Sequence, residues 1–220
     1  VRMFLSGESF VDQTRYYLGL SDTPPENFLL MGHMADHPGA KDPIDHGLEV
    51  ATHWDGLLDS EYALRIAADR AREMSVDPAG ESVLLLAHGM GEEEANDRVL
   101  ARMGIAAEEI AEHGFAAVEA ITLREDWEEP RALAEVRIRE FVSTEAEAGR
   151  RVLVVPVRLS GFGPYAEVLE GLPYEAGLGL LPHEDITRWI EDTAAMVACT
   201  AEWGPALGSC PPPPAVAETN

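Results

Sequence analysis

One histidine closes an unbroken apolar run in the stretch SVLLLAHGM, residues 82–90. Val83 to Ala87 read as a strand covered on both faces, so His88 is the first side chain that can meet solvent at its tip. A neutral imidazole near pH 7 can ligate a borderline divalent ion or accept a proton. Gly89 follows and lets backbone approach a ligand closely. The acidic GEEE of 91–94 would offset a bound cation and repel an anion. A second cluster lies in SDTPPENFLLMGHMADHPGAKDPIDHGLEVATHWD, residues 21–55. His33, His37, His46 and His53 are four of the chain's seven histidines, with Met31 just before them and Met34, Asp36, Asp42 and Asp45 between them. Thioether and imidazole donors together suit copper, nickel or cobalt better than magnesium. His33, Met34, His37 and His46 are the candidate ligands; a His-rich polar surface loop is the alternative.

Other chemistries find no support in the pattern. There is no G-x-S-x-G, no phosphate-binding glycine loop and no G-x-G-x-x-G. The two cysteines, Cys199 and Cys210, form no C-x-x-C and have no histidine at zinc spacing. Two free thiols in a cytoplasmic protein are expected, with a disulfide as the alternative. The net charge is −24, from 40 acidic and 16 basic residues, and Lys41 is the single lysine. Such a surface repels nucleic acid and anionic lipid, attracts cations, and fits a salt-adapted solvated exterior. No apolar run reaches the roughly 18 residues of a membrane span.

The elements that must position these residues alternate. Strands are expected at 83–88, 115–123, 151–160 and about 176–181. Helices follow them: one from the acidic turn at 92 to Gly114, one from Arg131 to Ala148 opened by Pro130, a short one at 165–170, and a closing one over HEDITRWIEDTAAMVA. His183 falls in the capping neighbourhood of that last helix. Apolar strands that do not alternate, separated by helices, argue for a parallel sheet covered on both faces. The ends of those strands carry His88, LREDW (123–127), LSG (159–161) and LPHED (181–185), and ligands bind beyond such ends. Arg124 and Asp126 of LREDW read as a surface pair.

The chain also repeats itself. VRMFLSG (1–7) matches VPVRLSG (155–161), Gly19-Leu20 matches Gly171-Leu172 with a two-residue slip, and GLLDSEYALRIAADRA (56–71) matches GLLPHEDITRWIEDTA (179–194). Three blocks in one order imply two related lobes. Residues 1–75 are expected to be the C-terminal half of lobe one, its N-terminal βαβα half lying before Val1, with a His/Met-rich insertion at about 21–55. Residues 82–198 are expected to be a complete lobe two, and 199–220, with its CPPPP, a disordered tail.

VLLLAHGMGEEEAN and RRVLVVPVRLSG resemble the class II chelatases, the sirohydrochlorin cobaltochelatase and ferrochelatase family. That family opens a lobe with an apolar strand ending in His-Gly and runs a Val-rich third strand through Pro into Leu-Ser. The resemblance covers nearly the whole chain to about Ala198. It implies two flavodoxin-like α/β lobes with parallel sheets, and insertion of Co²⁺ or Fe²⁺ into a sirohydrochlorin-type tetrapyrrole. The metal (Co²⁺, Fe²⁺ or Ni²⁺) would be substrate or ligand, with no organic cofactor. His88 matches the family's first histidine, as metal ligand or proton acceptor. The family's second histidine follows the Leu-Ser of strand three; here Leu159-Ser160-Gly161 leads to Phe162, and Leu5-Ser6-Gly7 to Glu8. Glu8 is the carboxylate candidate for catalysis, and Ser6, Gly7, Gly89, Ser160 and Gly161 are candidates to line the ligand. A non-catalytic metallochaperone or sensor on the same scaffold is the alternative. The expected location is the cytoplasm, or outside it if a signal peptide precedes Val1.

Overall fold

The computed structural model describes residues 1–7, 10–26, 28 and 39–200. Glu8, His33, Met34, His37 and the tail after residue 200 lie outside the described residues. The chain divides into two compact units, residues 57–187 and residues 1–56 with 188–220.

The 57–187 unit is α/β. Its elements are α2 (Glu61–Met74), β1 (Glu81–Ala87), α3 (Glu93–Glu112), β2 (Ala117–Thr122), α4 (Glu128–Glu147), β3 (Arg151–Pro156), α5 (Tyr165–Val168) and β4 (Glu175–Ala176). The four strands form one parallel sheet in the order β2-β1-β3-β4. The parallel sheet is as expected, and its order is that of doubly wound flavodoxin-like folds, with the switch point between β1 and β3. All seven residues of β1 are buried, as an apolar run in a central parallel strand requires. Alternate residues share a face. Leu84, Leu86, Ile121, Leu123, Val152 and Val154 pack with Ile138 and Val142 of α4 and with Tyr165 and Val168 of α5. On the opposite face, Asn96 of α3 takes a hydrogen bond from Thr122 of β2 (2.9 Å).

Several elements differ from expectation: β2 is Ala117–Thr122 rather than 115–123, β3 ends at Pro156 rather than 160, and three more differ for local reasons. β4 covers 175–176 rather than 176–181, because Leu180 and Leu181 donate instead to the carbonyls of Arg158 and Leu159 (both 2.8 Å). α4 begins at Glu128, before Pro130, which sits in the first turn where a helix leaves N–H groups unbonded anyway. β1 begins two residues early, at Glu81 and Ser82, polar residues buried through distant partners: Arg151 for Glu81 (2.5 Å) and Glu145 for Ser82 (2.5 Å).

In the other unit, residues 1–7 form no strand. The Arg2 N–H, which a ladder would use, donates to His53 Nε2 (2.8 Å), and its guanidinium donates to the carbonyls of His53 (3.1 Å), Gly7 (2.6 Å) and Trp54 (3.2 Å). Burial, followed by the charge of Arg2, pushes the His53 imidazole below its ordinary titration range. α1 (Val11–Tyr17) follows, and α6 (Glu184–Cys199) carries the chain back into this unit. Cys199 is disulfide-bonded, contrary to the free thiols expected.

The sequence repeat is also a repeat of local structure. A helix starts four residues after the glycine of each LSG: α1 at Val11 after Gly7, and α5 at Tyr165 after Gly161. Gly19 and Gly171, at matched positions, both have positive φ (66° and 80°). α2 and α6 both start five residues after the glycine of GLL, at Glu61 and Glu184. In each copy that glycine abuts the LSG backbone. A Cβ on Gly56 would lie 2.5 Å from the Ser6 carbonyl carbon, and one on Gly179 would lie 2.7 Å from the Arg158 oxygen and 3.2 Å from Ser160 Cα.

Candidate functional site

His88 leaves the sheet directly after β1. Register places Leu86 opposite Pro156, and the Val157 N–H donates to the Leu86 carbonyl (2.7 Å). His88 and Arg158 each stand two residues past that pair, on adjacent strands at the switch point. The alternation that sends Leu84, Leu86, Val152 and Val154 toward α4 and α5 also assigns His88 and Arg158 to the rim on that side. Their contacts agree. The His88 ring meets Trp127 edge-on (centroids 5.7 Å), and the Arg158 guanidinium lies 5.7 Å from the Tyr165 ring and 3.4 Å from Glu125.

The two nitrogens of His88 face two oxygens: Nδ1 lies 2.9 Å from the Gly89 carbonyl and Nε2 3.2 Å from Asp126 Oδ2. A neutral ring has one N–H and can serve only one of them. With Nδ1–H on the carbonyl, Nε2 keeps its lone pair beside a carboxylate, and the two could ligate one cation off the line that joins them. Metal–N and metal–O bonds of about 2.1 Å, spanning 3.2 Å, subtend about 100°, within the range of divalent-metal coordination. The His88 side chain is 37% exposed and Asp126 73%, so the pair is open to an incoming ion.

The loop that holds His88 is fixed from beneath. Arg124, 9% exposed and with φ of +56°, donates to the Met90 carbonyl (2.9 Å), to the Gly91 carbonyl and to Glu93 (2.6 Å). Its own N–H donates to the His88 carbonyl (2.6 Å). Arg124 is therefore a buried clamp and not the surface partner of Asp126 that the sequence suggested. Asn96, 3% exposed, adds an acceptor for the Met90 N–H (3.1 Å). Gly89 has φ of +83°, and a Cβ there would come 2.7 Å from Thr122 Cβ and 2.8 Å from Asn96 Oδ1. The chain's own side chains occupy the space that the missing Cβ leaves.

After β3, Ser160 and Gly161 are exposed at the same end of the sheet. Phe162 is a packing residue: it stacks on Tyr174 (5.7 Å, 9° between planes) and meets Tyr165 edge-on (5.7 Å). An aromatic wedge thus follows Leu159-Ser160-Gly161. Tyr165 is fully buried, with the Arg158 guanidinium beside it. Burial first, then the Glu125 charge, pushes the Tyr165 hydroxyl well above its ordinary titration range.

His88, Gly89, Ser160 and Gly161 thus share one rim of the 57–187 unit. Ser6, Gly7 and His46 belong to the other unit. Gly7 is buried against Trp54 and Gly56. His46 has both nitrogens engaged by backbone: Nδ1 accepts from Leu48 (3.0 Å) and Nε2 donates to Leu18 (3.3 Å), so a metal would have to displace one bond. Among the described residues no three His, Cys, Asp or Glu side chains gather as a metal-binding group. His183 caps α6 as expected, Nδ1 accepting from the Asp185 N–H (3.2 Å). Sequence reading missed Arg158, Glu125 and Tyr165, although extending the β3 alternation by one step would have put Arg158 on the side of His88; the left-handed turn at Arg124 hides Glu125 from that pattern.

No family model, curated protein or solved structure matches this chain. No helix among the described residues is long and apolar enough to cross a membrane.

Proposed function

We propose that this protein is chelatase-like, placing Co²⁺ or Fe²⁺ into a sirohydrochlorin-type tetrapyrrole. The observation that carries the reading is the His88–Asp126 pair, open at the tip of the central strand, beside the switch point of a 2-1-3-4 parallel sheet. Insertion exchanges two pyrrole N–H protons for one divalent ion. His88 and Asp126 hold the ion as it sheds water, and each can accept a proton as the macrocycle closes on it. A two-lobed scaffold belongs to this proposal, and the matched helix starts and glycine contacts of the repeated blocks support it. His33, Met34, His37 and His46 serve in it as a weak metal reservoir. The cytoplasmic location remains part of the reading, although the Cys199 disulfide favours the exported alternative.

Phe162 favours a second reading, a metal-binding protein without catalysis, because it removes one histidine from the family's pair. One experiment separates them. Full-length protein is mixed with sirohydrochlorin and Co²⁺, and insertion is followed by absorbance; Co²⁺ binding is measured in parallel by calorimetry. The enzyme reading expects insertion that His88→Ala slows by about 10²-fold or more. Binding that depends on His88, with insertion no faster than in buffer, supports the metal-binding protein. Absence of both overturns the assignment.

A further inference from the structure

A net charge of −24 works against any polycarboxylate ligand, so a receptor for one needs a local cation. The rim around His88 holds two arginines, and their situations differ. Arg124 is spent on the Met90 and Gly91 carbonyls and on Glu93. Arg158 is not. Its contacts are Glu125 at 3.4 Å, long for an ion pair, and the face of the Tyr165 ring. Its backbone is nevertheless fixed, the carbonyl accepting from Leu180 (2.8 Å). Its side chain runs across Gly163, where any Cβ would overlap the guanidinium, and φ of +59° there also favours glycine. The guanidinium is therefore held in place and 29% exposed, with one long carboxylate contact and the buried Tyr165 beside it.

We propose that Arg158 is a carboxylate receptor, binding an acidic side chain of the ligand whose metal centre His88 serves. The inference rests on the chelatase reading and adds the substrate's anionic periphery to it. Glu125 occupies the site in the free protein. A ligand carboxylate replaces it with the two-pronged geometry that a guanidinium offers and an ammonium does not. Glu125 then acts as a competitor that keeps the arginine charge balanced until the ligand arrives.

The probes are uroporphyrin I, an octacarboxylate macrocycle, followed by quenching of tryptophan fluorescence, and citrate, a small tricarboxylate, followed by calorimetry. Arg158→Gln should weaken uroporphyrin binding by roughly tenfold or more, and Arg158→Lys should recover only part of it. Glu125→Gln should tighten binding, an effect that a purely structural Arg158 would not produce. Co²⁺ binding to Arg158→Gln should stay at the wild-type level, while His88→Ala should lose the tighter Co²⁺ site and keep uroporphyrin. Thermal unfolding of each variant shows whether the fold survives. Equal uroporphyrin affinity in wild type and Arg158→Gln, or weaker binding in Glu125→Gln, overturns the proposal. If wild type binds citrate through Arg158 but no uroporphyrin, the carboxylate site stands and the tetrapyrrole reading falls. Binding of neither overturns both.

Discussion

Gly89→Ala should damage the protein in a way that can be worked from contacts. The new Cβ would sit 2.7 Å from Thr122 Cβ, 2.8 Å from Asn96 Oδ1 and 3.0 Å from Arg124 Cγ. The threonine carbon belongs to a strand, and Arg124 is held by its own bonds, so neither can swing aside. Overpacking of this kind costs about 1–3 kcal/mol. The φ of +83° adds about 1 kcal/mol for a residue with a side chain. The sum, about 2–4 kcal/mol, is a large share of the roughly 5–15 kcal/mol that stabilises a domain. If the loop moves to relieve the clash, the Gly89 carbonyl leaves His88 Nδ1 and the ring loses its aim at Asp126. The measurement is urea unfolding of wild type and variant, with Co²⁺ titration of each. A stability change below about 0.5 kcal/mol together with unchanged Co²⁺ affinity would refute the claim that packing fixes this loop.

Arg124→Lys keeps the charge but loses the guanidinium fork, leaving a carbonyl at Met90 or Gly91 without a donor; a loss of about 1–3 kcal/mol in urea unfolding is expected. Burial alone would raise the Glu81 and Glu145 carboxyls, but hydrogen bonds outweigh it (Ser75, Val76 and Arg151 for Glu81; Ser82 and Arg150 for Glu145), so both lie below the ordinary 4.5. Depressed folded values mean stabilisation that is full above the unfolded value and lost as pH falls through the folded one, so Tm should drop steeply below about pH 4.5, and less steeply in Glu81→Gln. That substitution should itself cost about 1.5–3 kcal/mol at pH 7, because it replaces the buried carboxylate that accepts from Arg151, Ser75 and Val76 with a neutral amide. Raising KCl from about 0.05 to 1 M shrinks the screening length to about 3 Å, and Tm should climb by several degrees as the −24 charge is screened; a flat or falling Tm would contradict it.

The α/β alternation was legible because it rests on short-range pattern. Val83 to Ala87 and Val152 to Val155 are apolar runs of strand length, and Gly114 and Gly149 end the helices before β2 and β3. His88 at a strand tip followed from the same pattern. What local pattern could not show was how buried polar groups find partners far along the chain. Glu81 and Ser82 precede the strand expected at 83–88, and become strand because Arg151 and Glu145 satisfy them from 70 and 63 residues away. Arg124 read as a surface residue because its acceptors are carbonyls some 33 residues earlier, which no side-chain pattern reveals. Gly89 was legible as a position without a side chain, but the occupants of the vacated space, Thr122 and Asn96, arrive only with the register of β2 and the docking of α3.

The central place of β1 bears on how long the His88 geometry persists. Its backbone is bonded to β2 on one side and β3 on the other, and every one of its residues is sealed from water. An amide in such a strand reaches deuterium only when the sheet itself opens, whereas β2 and β4, at the two ends of the order, have one side unbonded by the sheet. In a hydrogen-exchange experiment Leu84 to Ala87 should therefore be the slowest amides of the unit, exchanging at a rate set by its overall stability. The peptide just after them, anchored through Arg124 and Asn96, should exchange more slowly than the exposed Ser160–Gly161 turn across the switch point.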